Sequence, residues 1–365
     1  MKILHVDTEK TWRGGQQQAV YLHEALISRD IASGFVTPCG SKTGEYLKNK
    51  KLPVHYISFY GEWDFIHGLS LAMLTRKEGY DILHLHSAHA LSWGLWAKLF
   101  RPSLKLIGVR RVDFSIKKNC LSYLKYSNHL LDIIIAISDN IKKVLISDGI
   151  PGNKIVTIHS GVDLQKHHQV AVPTNFRSNW QIPADAIIVG TIAAFVGHKD
   201  YPTLLKSAAL VLKKKQNVRF MAVGEGVLLP EMKKMAQQLG ISERFVFCGF
   251  QKEVGVFLKS FDIFVISSRK EGLGTSVIDA LAIGLPIIGT RTGGIPEMVE
   301  DGVNGLLVDP QNPDLLAEAI LTLIDDRSLR DEMSSRAKDS AKQFSIEQTV
   351  EKNIALYREI SNAGI

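Results

Sequence analysis

Phe264-Val-Ile-Ser-Ser-Arg-Lys-Glu-Gly-Leu-Gly-Thr-Ser-Val-Ile-Asp-Ala-Leu-Ala-Ile-Gly-Leu-Pro286 is the stretch from which the fold is read. The apolar run Ile263 to Ile266 has the length and composition of a strand buried in a parallel sheet. A polar turn follows, Ser267 to Gly274. Thr275 to Ile283 then carries helical periodicity, with Val277, Ile278, Leu281 and Ala282 on one face. The turn therefore delivers Glu271 just ahead of a helix start, where the first backbone amides have no partner inside the helix. Such amides, together with the positive end of the helix dipole, attract phosphate. A second acid, Asp279, stands eight residues after the first, about one turn into the helix. An acid able to grip hydroxyls beside a cradle for phosphate points to a nucleotide sugar.

Outward from this stretch, strands and helices alternate through the whole chain. Toward the N-terminus, Lys2–Asp7 reads as a strand, followed by the loop Gly14-Gly15 and a helix from Gln16 with Ala19, Val20, Leu22, Leu26 and Ile27 inward. Ser33–Pro38, Val54–Ile57, Ile82–His86, Lys105–Val109, Ile133–Ile137 and Ile155–Ile158 read as further strands. After a polar break, Ile187–Ala193, Val218–Gly224, Phe245–Gly249, Ile263–Ile266, Pro286–Gly289 and Gly305–Val308 repeat the pattern. This alternation predicts an α/β protein of two doubly wound, Rossmann-like domains, with ligands outside the C-terminal ends of the strands. The divisions are 1–165, a linker at 166–185 containing Pro173 and Pro183, a second domain at 186–344, and a C-terminal helix at 345–365. Two such domains facing a central cleft would bring Gly14-Gly15 and Glu271–Ser276 to it. The pair His167-His168 lies in the linker, where adjacent side chains cannot serve one site, and reads as solvated.

Composition narrows the classes. At 365 residues the chain exceeds one core, and no apolar run reaches the ~18–20 residues that span a bilayer. The opening Met1-Lys-Ile-Leu-His-Val-Asp7 is too short and too soon acidic for a secretory leader, so a cytoplasmic protein is expected, free or at the inner face of the cytoplasmic membrane. Cys39, Cys120 and Cys248 are odd in number and far apart, and read as reduced core thiols. The net charge of +7 resides in the first half, where 21 Lys and Arg face 14 Asp and Glu up to residue 165. A basic half suits a phosphorylated substrate, an anionic membrane or an ordinary solvated surface. Ser115–Tyr126 mixes Lys117, Lys118 and Lys125 with Leu121, Tyr123, Leu124 and Tyr126, as an amphipathic helix or a membrane-surface segment would. No nucleic-acid recognition module is visible.

Other motifs are weaker alone. Gly224-Glu-Gly226 follows a strand, but Leu229-Pro230 occupies the place of a third glycine, so no dinucleotide fingerprint exists. There is no Asp-x-Asp pair and no His/Cys set at metal spacing. His84 and His86 share one face of a strand and read as its end, with one partly buried histidine, a metal site being the alternative. Lys199, in Phe195-Val-Gly-His-Lys-Asp-Tyr201, occupies the same sheet end as Glu271; it is either a point charge for a diphosphate or an exposed loop lysine. Thr290-Arg-Thr-Gly293-Gly294-Ile-Pro-Glu297 makes another glycine loop before a helix start.

Taken together, Glu271-Gly-Leu-Gly-(x)4-Asp279-Ala-Leu-Ala-x-Gly-Leu-Pro286, Gly293-Gly294-Ile-Pro-Glu297 and Asp301-Gly-Val-Asn-Gly305 resemble the family 4 retaining glycosyltransferases, also called group 1. The likeness extends over nearly the whole chain and implies the GT-B fold. It implies that Glu271 contacts the donor sugar, that Lys199 neutralises the diphosphate, and that Leu273, Gly274, Thr275 and Ser276 offer amides near it. Asp279 would hold the ribose, although the family has glutamate there and aspartate is one methylene shorter. Gly14, Gly15 and Gly224 would approach the donor. Two departures stand out. Ala194 replaces an arginine common five residues before the lysine, a loss that His198, Arg291 or Arg13 would have to offset. Arg110-Arg111 replaces a histidine common after the fifth strand. Arg110, Arg111 and His198 are candidates for phosphate or acceptor contacts, with pairing of the arginines to Asp113 as the alternative.

The implied reaction moves a sugar, with retention and without metal or cofactor, from a UDP- or GDP-linked donor to a glycan or lipid-linked hydroxyl, as in cell-surface polysaccharide or lipopolysaccharide synthesis. A nucleotide-sugar 2-epimerase of the same fold and a non-catalytic nucleotide-sugar binder are the alternatives.

Overall fold

A computed structural model describes residues 1–58, 65–167 and 169–362. The chain forms two compact units, Met1–Gly161 with Ile346–Ile365, and Val162–Ser345.

The first unit is built on seven strands, β1 Ile3–Val6, β2 Ser33–Pro38, β3 Val54–Ile57, β4 Ile82–Leu85, β5 Lys105–Arg110, β6 Ile133–Ala136 and β7 Ile155–Thr157. They lie in the order β3-β2-β1-β4-β5-β6-β7 and every pairing is parallel. The order reverses between β1 and β4, the kind of point where a doubly wound sheet opens a crevice. Strands β1 and β4 are buried along their whole length, which explains their unbroken apolar character apart from histidine. The final helix, Ile346–Asn362, belongs to this unit and buries Val350, Asn353, Ile354, Leu356, Tyr357 and Ile360. Those positions recur every three or four residues, so one stripe faces inward and Tyr357 reaches the sheet.

The second unit has β8 Ile187–Ile192, β9 Val218–Val223, β10 Phe245–Gly249, β11 Ile263–Ile266, β12 Ile287–Thr290 and β13 Gly305–Val308. Their order is β10-β9-β8-β11-β12-β13, again wholly parallel, with the reversal between β8 and β11. Phe195, Phe220 and Phe245 fill its core beneath the helices Tyr201–Lys214 and Pro313–Asp325. The fold class expected from the sequence is therefore the one observed.

Several local expectations are corrected. The stretch 166–185 is not a solvated tether throughout: Phe176 is buried and meets Phe257 edge-on at 5.4 Å, and Lys259 Nζ donates to the Val170 carbonyl at 2.8 Å. His167 is buried too, while His168 lies outside the described residues. Of the three thiols only Cys248 is buried, its pKa pushed up to about 12 by burial; Cys39 and Cys120 are exposed. In the 115–126 segment, Lys117, Lys118, Leu121 and Leu124 are exposed, but Lys125 is buried and donates to the Ala88 carbonyl at 3.3 Å. That segment is a short 3-10 turn, Ile116–Lys118, and a separate helix, Cys120–Tyr126, so its charges do not share one face.

Candidate active site

At the C-terminal end of β8 the chain passes through Gly197–Lys199 and turns at Asp200, which adopts a left-handed conformation (φ 50°) before the next helix. At the end of β11 lies the loop Ser267–Gly274. The two loops are tied together: Ser267 Oγ donates to the Lys199 carbonyl at 3.0 Å, and Arg269 N–H donates to the His198 carbonyl at 2.8 Å. The result is an ion pair between Lys199 Nζ and Glu271 Oε2, both side chains largely buried at 15% and 11% exposure. Ser268 Oγ adds a hydrogen bond to the same carboxylate oxygen at 3.1 Å. Lys199 is thus not a free loop lysine. The sequence pattern could not show this, because the pair is 72 residues apart.

Glycine fixes the loop that carries Glu271. Gly294 N–H donates to the Glu271 carbonyl at 3.0 Å, and a Cβ on Gly293 (φ 55°) would lie 1.8 Å from that carbonyl oxygen. The close backbone crossing requires glycine. The nine-residue helix Thr275–Ile283 starts after Gly274 (φ 88°), and no side chain caps it. A Cβ on Gly274 would lie 3.3 Å from Glu271 Cγ, so the uncapped helix start stands beside the Lys199–Glu271 pair. Gly224 (φ 144°) lies at the end of β9 with the Ala193 carbonyl so near that a Cβ would sit 2.1 Å from its oxygen. Its role in the local structure is close packing of two strand ends, next to Ala194.

Asp279 is partly covered, 17% exposed, and its Oδ1 lies 3.5 Å from His167 Nε2. Arg291 is exposed and engaged with Asp301, Nη2 to Oδ2 at 2.5 Å. Arg269 was missed by sequence reasoning. Its guanidinium donates to the Gly197 carbonyl at 2.7 Å, so a second cation, carried by the Glu271 loop, rests against the loop that carries Lys199.

In the first unit Arg111 is partly buried, and burial lowers its pKa to about 10 despite the pull of Asp7. Its Cδ packs so closely over Gly15 that a Cβ there would meet it at 3.2 Å. Arg110 instead donates to the Phe114 carbonyl at 2.7 Å and lies over the Tyr126 ring. Gly14 opens the helix Gly14–Ile27, whose N-cap residue Arg13 makes no side-chain cap.

His84 and His86 are both buried, not one of them, because β1 and β4 are in register and His5 stands directly beside His84. One nitrogen from each of His5, His84 and His86 falls within 4.8 Å of the others, a spacing that could hold a metal ion, with His5 a member the sequence did not suggest. Arginine only donates, so Arg111 Nη2, 3.4 Å from His86 Nδ1, makes that nitrogen an acceptor. Neutral His86 then carries its proton on Nε2 and donates it to His5 Nδ1 at 2.9 Å. His5 in that tautomer holds its proton on Nε2, a buried nitrogen with no hydrogen-bond partner. Burial holds all of these imidazoles neutral: His84 is lowered to about 3, His23 to about 4, and His5 and His86 well below the ordinary value.

Two family models match the chain: Glycosyltransferase Family 4 over residues 12–166, and Glycosyl transferases group 1 over residues 173–340. The chain belongs to this glycosyltransferase family. An uncharacterized glycosyltransferase of Methanocaldococcus jannaschii is 28% identical over 99% of both chains. A lipopolysaccharide core biosynthesis glycosyltransferase of Rhizobium meliloti is 32% identical over 53% of this chain and 59% of its own. Among solved structures, Anabaena HepE, crystallised with UDP and with UDP-glucose, superposes with a TM-score of 0.87 for the UDP complex at 20% identity, covering 98% of this chain and 100% of its own. For a glycosyltransferase of this family, the second unit gathers Lys199, Glu271, Gly274, Thr275 and Ser276 at one sheet end, while Asp279 sits a turn deeper with His167.

Proposed function

We propose that this glycosyltransferase transfers a sugar, with retention, from a UDP- or GDP-linked donor to a hydroxyl of a glycan or glycolipid. The observation that carries the reading is the Lys199–Glu271 pair beside the uncapped helix start at Gly274. It joins a group that grips hydroxyls, a cation, and free amides for phosphate oxygens. HepE's complexes with UDP and UDP-glucose support a nucleotide-sugar donor, and the Rhizobium relative supports an acceptor in lipopolysaccharide synthesis.

In this reading Glu271 accepts hydrogen bonds from the donor sugar, and Asp279 holds the ribose hydroxyls. The diphosphate leaves with its bonding electrons, and its growing negative charge is stabilised by Lys199 and by the amides of Leu273, Gly274, Thr275 and Ser276. The acceptor hydroxyl attacks the anomeric carbon from the face the diphosphate leaves, and its proton passes to the departing phosphate oxygen. Preorganised donors and cations of this kind are each worth on the order of 10²–10³ in rate. Charge stabilisation thereby rests on the chain's own groups, with no metal or cofactor required. Arg269 and His198 offset the cation lost at Ala194. Gly224 lets backbone approach the donor, while Gly14, Gly15, Arg110 and Arg111 serve donor phosphate or acceptor from the first unit.

A thermal-shift panel of UDP- and GDP-sugars, followed by transfer assays with and without EDTA and NMR of the product's anomeric coupling, tests the reading. An inverted product, or activity abolished by EDTA, contradicts its finer parts. Ala194 favours one second reading, a nucleotide-sugar binder without catalysis; tight binding with no donor hydrolysis or transfer would establish it.

Among the described residues no helix is long and apolar enough to cross a membrane. We further propose peripheral contact with an anionic membrane through the exposed Lys117, Lys118, Leu121 and Leu124. Failure to float with anionic liposomes would remove it.

A further inference from the structure

We propose that His167 is a positioning residue for Asp279 and, through it, for the nucleoside ribose; this deepens the donor reading above and rests on it. His167 is only 5% exposed, and its Nε2 stands 3.5 Å from Asp279 Oδ1. That separation is just beyond a hydrogen bond, so Nε2 is a buried polar atom with no hydrogen-bond partner of its own. A buried donor without an acceptor is costly, and a carboxylate within a few tenths of an ångström of bonding distance is the group that can satisfy it.

The imidazole is held where it is by the helix Val254–Ser260. A Cβ on Gly255 would stand 2.6 Å from His167 Nδ1 and 3.1 Å from Val170 Cγ2, so glycine at 255 is what admits the ring. Lys259, one turn further along the same helix, donates to the Val170 carbonyl at 2.8 Å and pins the segment that follows His167. The histidine is therefore fixed from two sides before any ligand arrives.

The need for such a residue follows from the aspartate. With one methylene fewer than glutamate, Asp279 reaches less far, and a carboxylate that must bind a vicinal diol gains from being held in one rotamer. His167 at Oδ1 leaves Oδ2 for the ligand. A group ordered in advance does not lose that freedom on binding.

The test is calorimetric titration of UDP and of GDP into the parent protein and into Asp279→Ala, His167→Ala, His167→Gln and the double alanine variant, using the nucleotide the parent binds more tightly. His167→Ala is expected to weaken binding about tenfold, and the double variant to bind no more weakly than Asp279→Ala, because the two residues act as one unit. His167→Gln keeps a side-chain N–H donor and should bind within about twofold of the parent, which a merely space-filling role would not predict. In steady-state assays the donor KM should rise while kcat changes less than about twofold. Melting curves establish that each variant is folded; if His167→Ala is not, His167→Gln against Asp279→Ala decides. Parent-like binding by His167→Ala alongside weak binding by Asp279→Ala overturns the inference and leaves the donor site standing. Parent-like binding by Asp279→Ala, or no binding of either nucleotide by the parent, overturns the donor site and the inference together.

Discussion

The two units share one winding and differ in what they place at the strand ends. In the second, an acid and a lysine meet on loops after β8 and β11, beside a helix start that no side chain caps. In the first, the strands beside the crevice carry His5, His84 and His86, all buried, with Arg111 and Asp7 packed against the start of the next helix. A parallel sheet supplies the rim in both cases. Glycine decides what the rim is used for: Gly293 and Gly294 let a backbone crossing present Glu271, whereas Gly15 admits the stem of Arg111.

The contrast breaks first at the ion pair. Glu271→Ala should remove sugar transfer by about 10²–10³-fold while the protein stays folded, as read by product formation and melting. Lys199→Ala should lose as much activity and also about 3 kcal/mol of stability, since it leaves Glu271 as an unpaired, largely buried carboxylate. The double variant should then be more stable than Lys199→Ala alone. Full turnover in a folded Lys199→Ala protein would remove that residue from the mechanism.

Gly293→Ala tests the backbone crossing. With a positive φ and a Cβ in collision with the Glu271 carbonyl, it should cost about 3 kcal/mol in denaturant unfolding and displace Glu271. An alanine variant of normal stability would mean that the loop yields easily.

The first unit should be the acid-sensitive one. Burial lowers the folded-state pKa of His5, His23, His84 and His86, so they are neutral when folded and bind protons more readily when unfolded. Their contribution is complete above the unfolded value of about 6.5 and is lost as pH falls from there toward about 4 for His23 and about 3 for His84. Each contributes a slope of up to ~1.4 kcal/mol per pH unit. Hydrogen exchange between pH 7 and 5 should accelerate in β1 and β4 before β11 and β12; equal acceleration would contradict the contrast.

Gly15→Ala should be the mildest change. The Cβ meets the flexible Arg111 stem at 3.2 Å, and alanine suits a helix, so stability should stay within ~1 kcal/mol. A larger loss would show Arg111 to be rigidly held.

Much of this was legible in the chain itself. Strand after strand of apolar, often β-branched residues, most of them followed by a helical pattern, determined the doubly wound class, because a parallel strand buried on both faces tolerates little else. The stretch from Ile263 to Pro286 also displayed Glu271, the glycine turn and the helix start, since all three are local. What tertiary structure alone decided is whatever depends on pairing between distant segments. Lys199 finds Glu271 only because β8 and β11 are neighbours in the sheet. His5 joins His84 only through the register of β1 and β4. His167 was read as solvated because nothing nearby in sequence covers it; Gly255 and Asp279 do, from helices about 90 and 110 residues away. Local periodicity reveals which face of an element is buried, but the partner across that face is set by register and packing.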